Sequence, residues 1–427
     1  MKTIFAYEDL LLLTVKVAAI LSALDAIALG PVPVTWIAAI LPFFASVLLR
    51  AQFKSVPVSL FFLFSWAVVV QGLSAICSSA GFCSEPHMPP LSTTPYPVFI
   101  ALRFLPFVML ISMLAAIAKL RNRQRELSDF VIRLGTWIAG LALYVYIAQL
   151  SGLPDIPRTR LGTDGMEVTA VRFSYAFHRA LGTFREPSGM AVWLMLPFLL
   201  SLRSASWRTY LMGAAIVLSG SMTAFVAISA GAALSAVFLM TKTIRQKSWL
   251  FRLPIVAGFA VSFSVVAFDF LVKTNDDFSG LWGVISDRLL PVFVGGIEES
   301  NRGYVFEFAE ETGISLFGYG LGNINLLLTE WQGGIAVSGI LSLYLNILLG
   351  LGAIGLAILG VFLARPLLQN LSTTTAREAY PVYAAYFAWL TAFVIHSAEF
   401  PFMFSLTYGL VAALGTARQR DIGRRLS

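Results

Sequence analysis

Five arginines carry the strongest chemical signal in this chain: Arg172, Arg179, Arg185, Arg288 and Arg302. A guanidinium stays charged and offers a planar fork of N–H donors that matches two phosphate oxygens at once. Most of them fall in two clusters. The first, Arg179-Ala-Leu-Gly-Thr-Phe-Arg-Glu-Pro-Ser188, runs straight into an apolar stretch. Pro187 biases Glu186 away from helix and itself suits a first helical position, so Arg185 and Glu186 are expected at the mouth of a helix. The positive end of that helix adds to Arg185 in attracting an anion. The competing account is that Arg179 and Arg185 anchor lipid headgroups.

The second cluster is Glu299-Ser-Asn-Arg-Gly-Tyr-Val-Phe-Glu-Phe-Ala-Glu-Glu-Thr-Gly313. Ser300 or Asn301 can cap a helix of about three turns that Gly313 stops. Arg302 then lies in the first turn, where the helix dipole disfavours a cation by about 0.3–1 kcal/mol. A bound anion reverses that penalty, with Arg288 as a second ligand. A contact with Glu299 or another loop carboxylate also offsets it. Glu186 is the first candidate for a general base and His396, near Glu399, the second. His178 adjoins Arg179 and His87 sits in a proline-rich loop; a lone histidine at a helix end is more often structural. Asp25 and Lys16 in the first apolar stretch, and Arg103 in the fourth, are read as pairing or snorkelling. No histidine–carboxylate set has metal-ligand spacing, and the scattered acids argue against a metal site.

The elements that must position these groups follow from composition. Hydrophobic residues make up 58% of the 427 and charged residues 12%, with a mean hydropathy of +0.79. Soluble domains carry about 25% charged residues, so the expectation is a polytopic all-α protein of the lipid bilayer. Candidate spans run about 9–29, 33–49, 57–78, 97–119, 130–150, 188–202, 209–220, 222–241, 252–271, 336–363, 381–397 and 402–416. The short 209–220 stretch can instead pair with the next one as a broken or re-entrant helix. Acidic Glu8 and Asp9 and the lack of a clear cleavage site make the first stretch a retained span rather than a signal peptide.

Basic residues sort the loops. Arg50 and Lys54, Lys119 to Arg125, Arg203 and Arg208, Lys242 to Arg252, Arg365 and Arg377, and the tail Arg418 to Arg425 all fall on one face if there are twelve spans. That face is cytoplasmic by the positive-inside rule, with both termini inside. The net charge of +7 therefore marks topology, not a nucleic-acid partner. Two long loops, about 151–187 and 272–335, remain outside, and they hold the five arginines. Tyr304, Val305, Phe308 and Ala309 have helical spacing, so the second loop is expected to fold onto the membrane face, partly helical. Leu316-Phe-Gly-Tyr-Gly-Leu-Gly-Asn323 is a weak nucleotide-loop match, since no strand precedes it; a tight glycine turn is the better account. Cys77 and Cys83 are open to a disulfide or to two free thiols.

The chain resembles the O-antigen ligase and polymerase superfamily, and within it the Wzy-type polymerases of surface polysaccharides. Arg-x-x-Gly-x-Phe-x-Glu-Pro-Ser at 179–188, Ser-x-Arg at 300–302 and Gly-x-Gly-x-Gly-Asn at 318–323 carry the resemblance, together with the late outer loop. The resemblance implies a membrane glycosyltransferase of the GT-C-like kind in the bacterial inner membrane, working on the periplasmic face without cofactor or metal. Its donor and acceptor would be glycans linked through diphosphate to undecaprenol, and a chain-length regulator protein would be a candidate partner. Arg172, Arg179, Arg185, Arg288, Tyr304 and Asn323 would bind substrate, and Glu186, Arg302 and His396 would act in catalysis. The product class, whether O-antigen, capsule or exopolysaccharide, stays open.

Two rivals are carried forward. A ligase moving polymer onto lipid A-core would usually hold a histidine in the second half of the large loop, and Gly313 to Gly334 contains none. A lipid-linked glycan flippase or transporter would line a central cavity with cations, for which Arg103 and Lys16 are the available groups.

Overall fold

Long apolar runs without charge can satisfy their backbone only internally, and helices result. The computed structural model describes residues 2–29, 32–49, 53–80, 86–90, 92, 94–156, 159, 179–204, 206–243, 304–334, 337, 339–340, 342–370, 376–396 and 400–426. Among these are thirteen α-helices: α1 (Lys2–Ser22), α2 (Val34–Leu48), α3 (Val58–Ser79), α4 (Tyr96–Lys119), α5 (Gln124–Ser151), α6 (Pro187–Ser201), α7 (Trp207–Leu218), α8 (Met222–Thr243), α9 (Tyr304–Thr312), α10 (Asn323–Trp331), α11 (Leu343–Asn370), α12 (Ala376–Ile395) and α13 (Phe402–Leu426). Five of them are long and apolar enough to cross a membrane: α3, α4, α5, α8 and α11. Their outward faces carry large apolar side chains, such as Phe62, Ile76, Trp137 and Val361, each more than 60% exposed. A surface of that kind needs a lipid solvent.

Several expected boundaries move. The stretch 9–29 is not one helix: α1 ends at Ser22, and the chain turns into a two-residue antiparallel hairpin, Ala28–Leu29 with Val32–Pro33. The 209–220 stretch is a separate helix, α7, of 12 residues. At a 1.5 Å rise it is about 18 Å long, too short for a core of about 30 Å. A turn at Ser219–Ser221, with Gly220 at φ +56°, separates it from α8. The stretch 252–271 lies outside the described residues.

One end of the bundle gathers basic groups. Lys119, closing α4, donates to the Leu49 carbonyl just past α2 at 2.5 Å. Arg123 bridges Asp9 at 2.7 Å and Glu126 at 2.6 Å, while Lys16 meets Glu126 at 2.7 Å. Hydrogen bonds to Asp9 and then to Glu126 raise the Arg123 pKa above its ordinary value. Lys16 therefore pairs with Glu126 and not with Asp25.

Prolines and one glycine interrupt the helices, and the freed backbone groups find partners. Pro366 removes the donor for the Phe362 carbonyl, which accepts from Tyr408 Oη at 2.9 Å instead. Tyr386 Oη donates to Leu363 O at 2.6 Å. The larger break is at Gly352, where φ is +73° inside α11. Three carbonyls before it are taken up: Leu349 by Tyr319 N, Gly350 by Gly320 N, and Leu351 by Trp66 Nε1. The glycine run at 318–323 is thus more than a turn. It lies along the break in α11 and then starts α10. Above it, α9 and α10 share a small core of Val305, Phe308, Ile324 and Leu328, packed on Ile340 and Leu349.

Cys77, near the end of α3, is disulfide-bonded, and no cysteine is free among the described residues. It stands about 29 Å along the helix from Val58, at the end away from the basic loops. Oxidising compartments sustain such a bond, so this end is expected outside. In intact cells, a maleimide that cannot cross the membrane holding the protein, but can reach its outer face, should label it only after reduction. Labelling without reduction would remove the disulfide, and no labelling after it would reverse the orientation.

Candidate functional site

The segment from Arg179 to Glu186 is not helical, yet Ala180, Leu181, Thr183 and Phe184 are at most 3% exposed. Irregular backbone at that depth must be tied down by protein, and here it is. Ala180 N donates to Leu218 O, Ala26 N donates to Thr183 O at 2.9 Å, and Thr183 Oγ1 donates to Ala23 O at 2.5 Å. Gly182, at φ +55°, lies so close to α5 that a Cβ would sit 3.1 Å from Ala142 Cβ. Ala142 is about 14 Å before the end of α5 at Ser151 by the helical rise. The segment is therefore sunk between helices, and it delivers Arg185 and Glu186 below the rim of the bundle.

α6 starts at Pro187 with Glu186 extended at φ −127°, as the proline requires. Glu186 is exposed and accepts from Ser188 Oγ at 3.1 Å. The Arg185 amide donates to Asp25 Oδ2 at 3.5 Å, a long contact, and its buried Nε has no hydrogen-bond partner among the described residues. Trp193 Nε1 donates to Ser22 Oγ at 3.0 Å, which fixes the end of α1 against α6.

Arg185, Glu186, Asp25 and His396 all line one cavity of about 450 Å³. Its walls come from the end of α1, the start of α2, the middle of α4, the start of α6, the end of α12 and the start of α13. Apart from the middle of α4, these are the helix ends remote from the basic loops. Just ahead of α13, Phe400 is a non-glycine residue at φ +43°. That backbone strain is sustained by a fully buried ring packed on Phe107, Phe362, Phe393 and Phe404. Trp389, only 1% exposed, lines the same cavity, and its indole N–H also has no acceptor among the described residues.

No family model, curated protein or solved structure matches this chain.

The other expected residues separate from this cluster. Arg179 donates Nε to Ser219 O at 2.6 Å and Nη2 to Gly220 O at 3.2 Å, closing the end of α7, where a cation also meets the favourable end of the helix dipole. Asn323 is 2% exposed and accepts from Tyr96 Oη at 2.7 Å while its amide donates to Ser74 Oγ at 2.8 Å. It pins α10 to α3 and α4 and lines a different cavity, of about 410 Å³. Tyr304 opens α9 beside the small loop core. Arg172, Arg288 and Arg302 lie outside the described residues. Sequence reading missed Asp25 and Trp389 as site residues. A carboxylate inside the first apolar stretch and an indole N–H inside an apolar helix were the available signals.

Proposed function

We propose that this protein is a membrane glycosyltransferase that polymerises undecaprenyl-diphosphate-linked oligosaccharide repeat units on the periplasmic face, in a GT-C-like twelve-span architecture. The observation that carries this reading is the meeting of Arg185, Glu186, Asp25 and His396 on one cavity, remote from the basic loops. The acceptor sugar hydroxyl attacks the anomeric carbon of the donor, and the bond from that carbon to the diphosphate oxygen breaks. The electron pair leaves with undecaprenyl diphosphate. Arg185 and the start of α6 meet the charge that builds on this leaving group, inside a site already organised for it. The hydroxyl proton passes to Glu186 or His396, both at the cavity wall. Arg172, Arg288 and Arg302 would complete the diphosphate grip.

Neither Lys16 nor Arg103 lines the two cavities described above. Lys16 is paired with Glu126, and the Arg103 guanidinium lies 4.8 Å from the Phe99 ring centroid. These contacts take support from the transporter reading. The deciding experiment compares surface-glycan profiles in a deletion strain and in one carrying Arg302→Ala. Polymerase loss leaves single-repeat glycans. A ligase leaves long lipid-linked polymer that never reaches lipid A-core, and a flippase leaves repeat units stranded inside. Unchanged chain length in Arg302→Ala removes that residue from the mechanism.

A further inference from the structure

Two side-chain stripes meet on the outside of the bundle where α5 runs beside α7. Arg133, Trp137 and Gly140 follow one another at helical spacing along α5, and Trp207, Arg208 and Leu211 do so at the start of α7. The stripes touch where a Cβ at Gly140 would stand 3.8 Å from Leu211 Cδ2. Trp137, Trp207 and Tyr210 are each more than 60% exposed. Arg133 is exposed as well, and the half-buried Arg208 holds its guanidinium 5.9 Å from the Trp207 ring centroid. Two cations and three amphipathic rings therefore border one shallow groove with a glycine in its floor.

Depth makes this arrangement unusual. The 28 residues of α5 span about 42 Å. A hydrocarbon core of about 30 Å centred on that length takes in the Cα of Arg133, about 14 Å from Gln124. An exposed cation there must turn its head back to the interface. It does: Arg133 Nε donates to Asp129 O at 3.3 Å, one turn toward the basic end. Asp129 is the carboxylate on this stripe, and Arg125 and Arg203 flank it, so the face keeps a positive balance. Trp and Tyr favour the headgroup level, and basic groups there attract anionic headgroups. We propose that this groove seats an anionic phospholipid from the leaflet on the side of the basic loops. Arg133 and Arg208 grip its phosphate as planar forks, and an acyl chain runs over Gly140 toward the exposed Val217. The site is separate from the cavity of Arg185 and does not depend on the transferase reading.

Native mass spectrometry of the full chain, titrated in detergent with dioleoylphosphatidylglycerol or dioleoylphosphatidylcholine, tests this. The anionic lipid should bind about 10-fold more tightly, with two arginines contributing about 5-fold each at most. Arg133→Gln and Arg208→Gln should each lower that preference about 3- to 5-fold, and Arg133→Lys should recover part of it. Lys54→Gln, in the connection from α2 to α3, should leave it unchanged. If Arg133→Gln fails to give a monodisperse protein, Arg208→Gln and Arg133→Lys decide. Equal affinity for the two lipids overturns the site, as do folded glutamine variants that bind like the parent. A loss at Lys54→Gln as large as at Arg133→Gln also overturns it, since diffuse surface charge would then explain the preference. Displacement by millimolar inorganic phosphate would make it a free-anion site instead. A lipid-independent dimer broken by Trp137→Ala would give the face to a second copy of the chain and end the proposal.

Discussion

On the proposed polymerase reading, Arg185→Ala is expected to lower the rate of polymer formation by about 10²- to 10³-fold while the protein stays folded and inserted. The magnitude is that of removing one preorganised donor from a developing negative charge, about 2.7–4 kcal/mol. Stability should change little, because the bond recorded to Asp25 comes from the Arg185 main-chain N–H and survives the substitution. The side chain's buried Nε has no partner among the described residues to lose. Arg185→Lys keeps the charge but not the fork, and should recover only part of the rate. Purified protein, supplied with isolated lipid-linked repeat units and followed by product length over time, gives the measurement. A rate within two- or three-fold of the parent would end the diphosphate role of Arg185, whatever becomes of the other arginines.

Gly352→Ala is expected to abolish recovery of folded protein. At φ +73° an alanine is strained by about 1–3 kcal/mol on conformation alone. Its Cβ would also lie 2.2 Å from the Leu316 carbonyl oxygen and 2.5 Å from the carbonyl carbon, contacts that backbone cannot yield cheaply. Relieving them means lifting the 315–320 segment off α11. That would forfeit the bonds from Tyr319 N and Gly320 N and bare the carbonyls of Leu349 and Gly350. Gly360→Ala is the control. It lies in the same helix with open space around its Cβ position, and alanine is the better helix former by about 0.8–1 kcal/mol. Size-exclusion profiles from detergent extracts should show a monodisperse peak for Gly360→Ala and none for Gly352→Ala. Equal peaks would mean that the break in α11 is not needed for folding.

Sequence patterns located what depends on neighbours along the chain. Apolar run length marked most helices, Pro187 marked the start of α6, and Gly313, at φ +76° after α9, marked a stop. The placing of Arg185, Glu186 and His396 on a common wall is consistent with one expectation, that residues far apart in sequence share one end of the bundle. Features set by tertiary contact were not legible. α1 reads as continuing to 29, yet Thr183 and Trp193 hold its end and following turn in place. Arg179 looks like a ligand for phosphate and is occupied by carbonyls 40 and 41 positions away. Asn323 looks like a binding residue and is a buried pin. Nothing local in Trp389 tells whether its N–H meets an acceptor.

The way the segment at 315–320 docks on α11 has a consequence for how freely the surface beyond it can vary. Main-chain amides of Tyr319 and Gly320 make the attachment, so it is indifferent to most side chains that flank it. The exposed faces of α9 and α10 can therefore be rewritten, by drift or by design, without casting that segment adrift. Only the glycines that let two backbones touch must be kept.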